Sequence, residues 1–225
     1  MSFLALTGQI LRKDFRIEVR SREGVNTLLF FSTLLVFLFR FAIGSTETQV
    51  REAAPGLLWL AFILTGLWGM ARTFQVEREN DCLEFLRLAP GDLGGLYLGK
   101  LIVGCCLMWA TELAILAMFG LFFHLDMWPV IGSLIPVLIL GTVGFVAIGT
   151  LFAAITANLK AREVMLPLLL FPLMVPILLA ASRLTDLGLA GDSLWAEAHW
   201  LRLLIGFDVV FVVLGYLTFP FVMED

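Results

Sequence analysis

The sequence predicts an all-α integral membrane protein with six transmembrane helices, an N-terminal amphipathic interfacial helix and both termini cytoplasmic. Three observations carry that reading. Of 225 residues, 60% are apolar, well above the ~45–50% of ordinary soluble domains. The apolar residues gather into six runs, each long enough for the ~20 residues that one crossing takes. The Lys and Arg residues are lopsided, eleven on one side of these runs and four on the other, and the positive side is the one retained in the cytoplasm.

The elements follow in chain order. Over residues 1–24, Phe3, Leu6, Ile10, Leu11 and Ile17 share one side of a helical wheel and Arg12, Lys13, Arg16 and Arg20 the other, the pattern of a basic helix lying on a membrane surface. Asp14 and Glu18 interrupt the apolar side. They either pair with the neighbouring basic residues, the reading favoured here, or face a partner protein. The six-helix region, residues 25–222, begins with a first span from Val25 to Ile43. The charged segment before it is too long for the n-region of a signal peptide, so this span is expected to stay uncleaved.

The second and third spans run from Ala54 to Ala71 and from Leu96 to Phe123, separated by a charged loop at 72–95. Gly95 and Gly99, four residues apart, permit close helix approach, as do Gly149, Ala153 and Ala157. The fourth run, Trp128 to Thr156, exceeds one crossing, and Pro136 is expected to divide an interfacial lead-in from the span itself. The fifth, Val164 to Ala181, holds Pro167, Pro172 and Pro176 and is expected to be kinked or broken. Residues 182–200, leucine-rich and carrying Trp195 and Trp200, suggest a helix at the outer interface. A sixth span from Leu203 to Val222 returns the Glu224-Asp225 tail to the cytoplasm.

Composition also excludes functions. The two longest stretches outside the runs, Met1–Gly24 and Arg72–Gly95, hold 24 residues each, below the ~50 of an independent domain. Chemistry that needs a large soluble site therefore belongs to a partner. A net charge of −4 with no strongly basic patch gives no sign of nucleic-acid binding. Cys82, Cys105 and Cys106 lack metal or disulfide spacing and read as buried small hydrophobes, with no metal site.

Two motifs could carry chemistry. Gly94 to Lys100 satisfies GxxxxGK, the opening of a phosphate-binding loop, but Leu101 stands where a magnesium-binding Ser or Thr is needed, and a membrane span follows instead of a soluble helix. Lys100 is expected to be a snorkelling anchor. In the 72–95 loop, Asp81-Cys82-Leu83-Glu84 forms a capping box and Pro90-Gly91 stops the helix it opens. A helix so short is unstable alone in water and must dock. Leu83, Phe85, Leu86 and Leu88 supply apolar surface, while Glu77, Arg78, Glu79, Glu84 and Arg87 flank it with charge. Packing under the bundle is the plain reading; insertion into a groove of a cytoplasmic subunit is favoured.

These features, with the run Ala54-Pro55-Gly56-Leu57-Leu58-Trp59, the stretch from Glu77 through Asp81-Cys82-Leu83-Glu84-Phe85-Leu86 to Pro90, and Gly99-Lys100, resemble the haem exporter protein B family, CcmB. The resemblance spans nearly the whole chain and is most specific from Ala54 to Lys100; Cys82 departs from it, standing where the pattern more often has glycine. It implies an ABC-2-like permease subunit in a bacterial inner membrane, itself non-catalytic, within an ABC-type complex of cytochrome c maturation. The implied partners are a second copy of the chain, a cytoplasmic ATPase subunit that binds ATP and Mg, a haem-handling membrane protein and a periplasmic haem chaperone. The chain itself would bind no cofactor directly, and haem would be handled by the complex. On this reading Glu77, Glu79, Cys82, Leu83, Glu84, Phe85, Leu86 and Arg87, with Asp14 and Glu18, contact the ATPase subunit, whose hydrolysis drives release of the haem-loaded chaperone.

Ionisable groups inside spans are functional candidates because burying them in lipid is costly. Glu112, near the middle of the third span, is the strongest. Asp208 and Arg40 are expected nearer the outer face, reaching the headgroups. His124 and His199 also fall on the outer side, but lone interfacial histidines without CxxCH or a tryptophan-rich haem motif make poor candidates for haem ligation. The rival readings are an ABC-2-type exporter of lipid, polysaccharide or drug, an intramembrane enzyme using Glu112 and Asp208 as paired carboxylates, and a passive assembly scaffold.

Overall fold

The computed structural model describes residues 3–20, 22–43, 46–73, 93–124, 129–157 and 162–224. Among them lie seven α-helices and no strand: α1 (Phe3–Arg20), α2 (Arg22–Ala42), α3 (Glu47–Thr73), α4 (Leu93–Phe123), α5 (Ile131–Thr156), α6 (Arg162–Ala190) and α7 (Ala198–Glu224), with a short 3-10 turn at Leu194–Glu197. Five stretches are long and apolar enough to cross a bilayer: Thr48–Ala71, Leu93–Phe123, Ile131–Thr156, Val164–Ala190 and Leu194–Met223. The apolar part of α2, Asn26–Ala42, is shorter, so of the six expected spans the first falls below the length of the other five. Large apolar side chains such as Phe30, Phe41, Leu121, Val164 and Phe221 stand exposed on the outside of the bundle, the surface a bilayer would cover.

The core gathers around α5. Every residue from Gly144 to Thr150 is buried, nearly two full turns, so this helix is enclosed on all sides rather than along one stripe. It packs against α3, α4, α6 and α7. Close approach depends on missing side chains: a Cβ on Gly141 would strike the Trp59 ring of α3, and one on Gly149 would come within 2.9 Å of Met70. Trp59 is fixed there because its indole N–H donates to Thr185 Oγ1 on α6 at 2.9 Å. Tyr97 of α4 closes a second contact, its hydroxyl 3.1 Å from the Ala147 carbonyl of α5 and 3.4 Å from that of Phe211 on α7. Gly215 leaves the room for that ring.

Two expectations from the sequence are corrected and a third is narrowed. Pro136 does not divide the fourth apolar run, since it lies inside the continuous α5. Of the two outcomes expected at Pro167, Pro172 and Pro176, kinked or broken, the break is excluded, since α6 runs through all of them; packed neighbours make such prolines tolerable within membrane helices. Residues 182–200 form no separate interfacial helix. Instead α6 continues to Ala190, the chain turns at Gly191 with φ of 80°, and α7 begins at Ala198 after the 3-10 turn. The physical reason is burial: Leu184, Thr185 and Leu187 face the bundle and belong to its core, not to an interface.

Candidate functional site

Two polar clusters stand out in this apolar bundle, one where α1 meets α4 and one in its middle. The first is built on the glycines that open α4. Thr7 donates its hydroxyl to the Gly95 carbonyl at 3.2 Å. One helical turn on, Ile10 lies over Gly99, where an added Cβ would sit 3.0 Å from Ile10 Cγ2. A turn further, Asp14 receives Lys100 Nζ on one carboxylate oxygen and Lys13 Nζ on the other, both at 3.0 Å. The segment that imitates a phosphate loop is thus the seat of the N-terminal helix.

This corrects the reading of Lys100. Its side chain is 1% exposed, so it is not a snorkelling anchor; the charge is held by the acid that interrupts the apolar side of α1. The carboxylate of Asp14 is turned to Lys100 and Lys13, as the pairing alternative had it. Glu18 lies on α1, but its side chain is outside the described residues. So are Glu77, Glu79, Cys82, Leu83, Glu84, Phe85, Leu86 and Arg87, which fall in 74–92 between α3 and α4.

The second cluster surrounds α5. Glu112 of α4 is 1% exposed, and Thr142 of α5 donates to its Oε1 at 2.6 Å, while Oε2 has no hydrogen-bond partner among the described residues. Asp208 of α7 is buried too, with neither oxygen partnered among the described residues. Its Oδ1 lies 2.6 Å from where a Cβ on Gly144 would be, and Ile177 of α6 closes the same spot at 2.9 Å. Thr142 and Gly144 are two residues apart, one step along α5 but on different faces. The two carboxyls therefore meet the central helix at one level, from α4 and from α7.

Asp208 was expected near the outer face; the structure places it in the middle of the bundle. The reason is that α7 begins at Ala198, before the apolar run, so that ten residues, ~15 Å of helix, precede the aspartate. Arg40 does lie at a helix end: its Nε donates to the Phe122 carbonyl at 3.1 Å and its guanidinium stands 5.9 Å from the Phe123 ring, satisfying the last turn of α4. Cys105 is buried as expected, whereas Cys106 is exposed on the bundle surface.

The two histidines lie at helix ends. His124, exposed with φ of 56°, ends α4. His199 is exposed on the first turn of α7, its ring 5.0 Å from Trp200. Among the described residues no cluster of His, Cys, Asp or Glu could hold a metal ion. Sequence reasoning missed a polar clasp between α6 and the start of α7. Arg183 of α6 meets Glu197 through Nε at 3.1 Å and Nη2 at 2.8 Å and reaches Asp186 at 2.7 Å, while the Trp200 indole donates to Glu197 at 2.9 Å. Only the Arg183–Asp186 spacing of three could have signalled it. Nothing local in the sequence signalled the Tyr97 and Trp59 bridges.

A family model described as CcmB protein matches residues 5–224 of the chain. The chain is also similar to proteins named heme exporter protein B. That of Paracoccus denitrificans is 32% identical over 183 residues, 81% of this chain and 83% of the relative. That of Rhodobacter capsulatus is 30% identical over 182 residues, with the same coverages of 81% and 83%. That of Pseudomonas aeruginosa is 30% identical over 195 residues, 85% and 86% of the two chains.

Proposed function

Since the chain belongs to the CcmB protein family, we propose that it is the non-catalytic permease subunit of an ABC-type complex in a bacterial inner membrane, acting in haem export or delivery for cytochrome c maturation. The observation that carries this is the extent of the family match, residues 5–224, over a multi-pass helical bundle whose one nucleotide-loop lookalike is a helix seat. The partners on this reading are a second copy of the chain, a cytoplasmic ATPase subunit holding ATP and Mg, a haem-handling membrane protein and a haem-loaded periplasmic chaperone that the complex releases.

The mechanism follows from connectivity. The 74–92 segment joins the end of α3 at Thr73 to the start of α4 at Leu93, so an ATPase that grips Leu83 to Leu88 acts on both helices. At the head of α4, the Thr7, Ile10 and Asp14 contacts tie α1 to the same turns. Displacement of α4 is then passed inward to α5 through Tyr97 and the Glu112–Thr142 bond. From α5 it reaches α6 and α7, whose junction is held by the Arg183–Glu197 clasp, the end nearest the expected periplasmic partners. In this scheme Glu112 bears on the helix contact that switches, and neither histidine need bind haem.

The test is complementation. A bacterium lacking its own copy of this subunit should regain cytochrome c maturation when given this chain, and the ATPase subunit should co-purify with it. Full maturation without the subunit, or recovery of the chain with no ATPase, would overturn the proposal.

A further inference from the structure

Not every buried polar group of the bundle is satisfied: Thr65, Thr150 and the Trp109 indole lack hydrogen-bond partners among the described residues. Several that hold helices together are met: Trp59 by Thr185, Tyr97 by two carbonyls, Arg40 by Phe122, Lys100 by Asp14. The two carboxyls that flank α5 are not. Glu112 has one oxygen bonded and one without a partner, and Asp208 has neither oxygen bonded, among the described residues. An ionised carboxylate offers about four acceptor positions, and one threonine hydroxyl fills a single one. A charge left in that state at mid-membrane depth is expensive. A neutral carboxylic acid avoids that cost.

Among the described residues, no ion pair neutralises either acid. Beside these carboxyls, α5 offers Thr142 to Glu112 and the bare backbone of Gly144 to Asp208, and α6 offers the aliphatic Ile177 near Asp208. No Lys, Arg or His makes a bond to either carboxyl among the described residues. Both acids abut a central helix whose contacting positions are the small residues Thr142 and Gly144, so any shift of α5 changes the surroundings of both together.

We propose that Glu112 and Asp208 are two intramembrane proton-binding groups flanking α5, each carboxyl holding an exchangeable proton that it releases to water when α5 moves against α4 and α7. The step is a simple acid dissociation: the O–H bond of the carboxyl breaks, water takes the proton as hydronium, and the electron pair stays on the carboxylate. Thr142 then retains its bond to Glu112 Oε1, which is stronger to the anion than to the acid. The two groups make the rearrangement of the bundle responsive to protons, and they do so whatever cargo the complex handles.

Infrared difference spectroscopy on the full-length protein in phospholipid nanodiscs, between acid and alkaline pH in H2O and in D2O, tests this. The wild type should show the carbonyl stretch of a protonated carboxyl that loses intensity as pH rises and moves to lower frequency in D2O. Glu112→Gln should remove one component of that band and Asp208→Asn the other. Thr142→Val, which keeps both acids, should shift only the Glu112 component to higher frequency; it decides the matter if either amide variant fails to fold. A band unchanged by all three substitutions would overturn the proposal. So would carboxyl signals that neither titrate nor exchange with D2O, which would make the two groups permanently buried acids.

Discussion

Lys100 Nζ and Asp14 Oδ2 lie 3.0 Å apart, joining the N-terminal helix to the third turn of α4, with the lysine side chain only 1% exposed. The pair turns two oddities of the sequence into one feature. An acid on the apolar side of an amphipathic helix and a lysine at the head of an apolar run each look misplaced alone, and each is the other's partner.

Breaking the pair should loosen α1 from the bundle. Alanine at either position removes an interaction that is mostly out of water, and the double variant should cost less than the sum of the singles, with a coupling of about 0.5–3 kcal/mol. Thermal unfolding of Asp14→Ala, Lys100→Ala and the double variant in one detergent measures it. Strict additivity would show that the contact carries no energy.

The same residue gives a prediction about chemistry. Because Leu101 occupies the magnesium-ligand position and Lys100 is bound to Asp14, the purified chain should hydrolyse no ATP. Lys100→Ala should change unfolding but leave ATP turnover at background. Turnover by the chain alone that Lys100→Ala abolishes, with the fold intact, would restore the nucleotide-loop reading.

Gly141 is the most sterically committed glycine on α5. A Cβ there would strike the Trp59 ring, and that ring cannot swing aside without breaking its bond to Thr185. Gly141→Ala should therefore destabilise the protein by about 1–3 kcal/mol, the usual cost of overpacking, and lower its melting temperature. Trp59→Leu in the same chain should relieve part of the clash. Equal melting temperatures for Gly141→Ala and the wild type would mean that α3 and α5 sit further apart than described.

What could be read from the sequence and what could not divide along a physical line. Long apolar runs are local properties of composition, and five of the helices are long and apolar enough to follow them across a bilayer. Where α7 begins is not local: Ala198 to Arg202 is too polar for a membrane-grade run, yet the Arg183–Glu197–Trp200 clasp extends helical order upstream, and Asp208 is carried to mid-bundle as a result. The partners of Asp14, Trp59 and Tyr97 are 86, 126 and 50 or 114 residues away, beyond any spacing rule. The level shared by Glu112 and Asp208 depends on both packing on α5, which only the assembled bundle reveals.

The segment proposed to meet the ATPase can be tested without its structure. Leu86→Asp would place a charge where helix-in-groove docking calls for an apolar anchor. Recovery of the ATPase subunit with the tagged variant should fall at least several-fold while the variant's own membrane level holds. Normal recovery would move the contact elsewhere on the chain.

The last prediction ranks the ionisable groups by what the bundle would lose. Glu112 is buried against Thr142 on the central helix, whereas His124 and His199 are exposed at helix ends and carry no burial cost whose removal would be felt. Glu112→Leu should therefore impair cytochrome c maturation and chaperone release at matched membrane levels, and Glu112→Gln, which keeps the shape and the acceptor for Thr142 but holds no proton, should impair both while preserving the fold. His124→Ala and His199→Ala should mature cytochrome c normally. The glutamine variant separates packing from protonation: full activity with Gln but not Leu would assign Glu112 to helix contact alone. Loss confined to a histidine variant, with both Glu112 variants active, would reverse the ranking and point to haem ligation by that histidine.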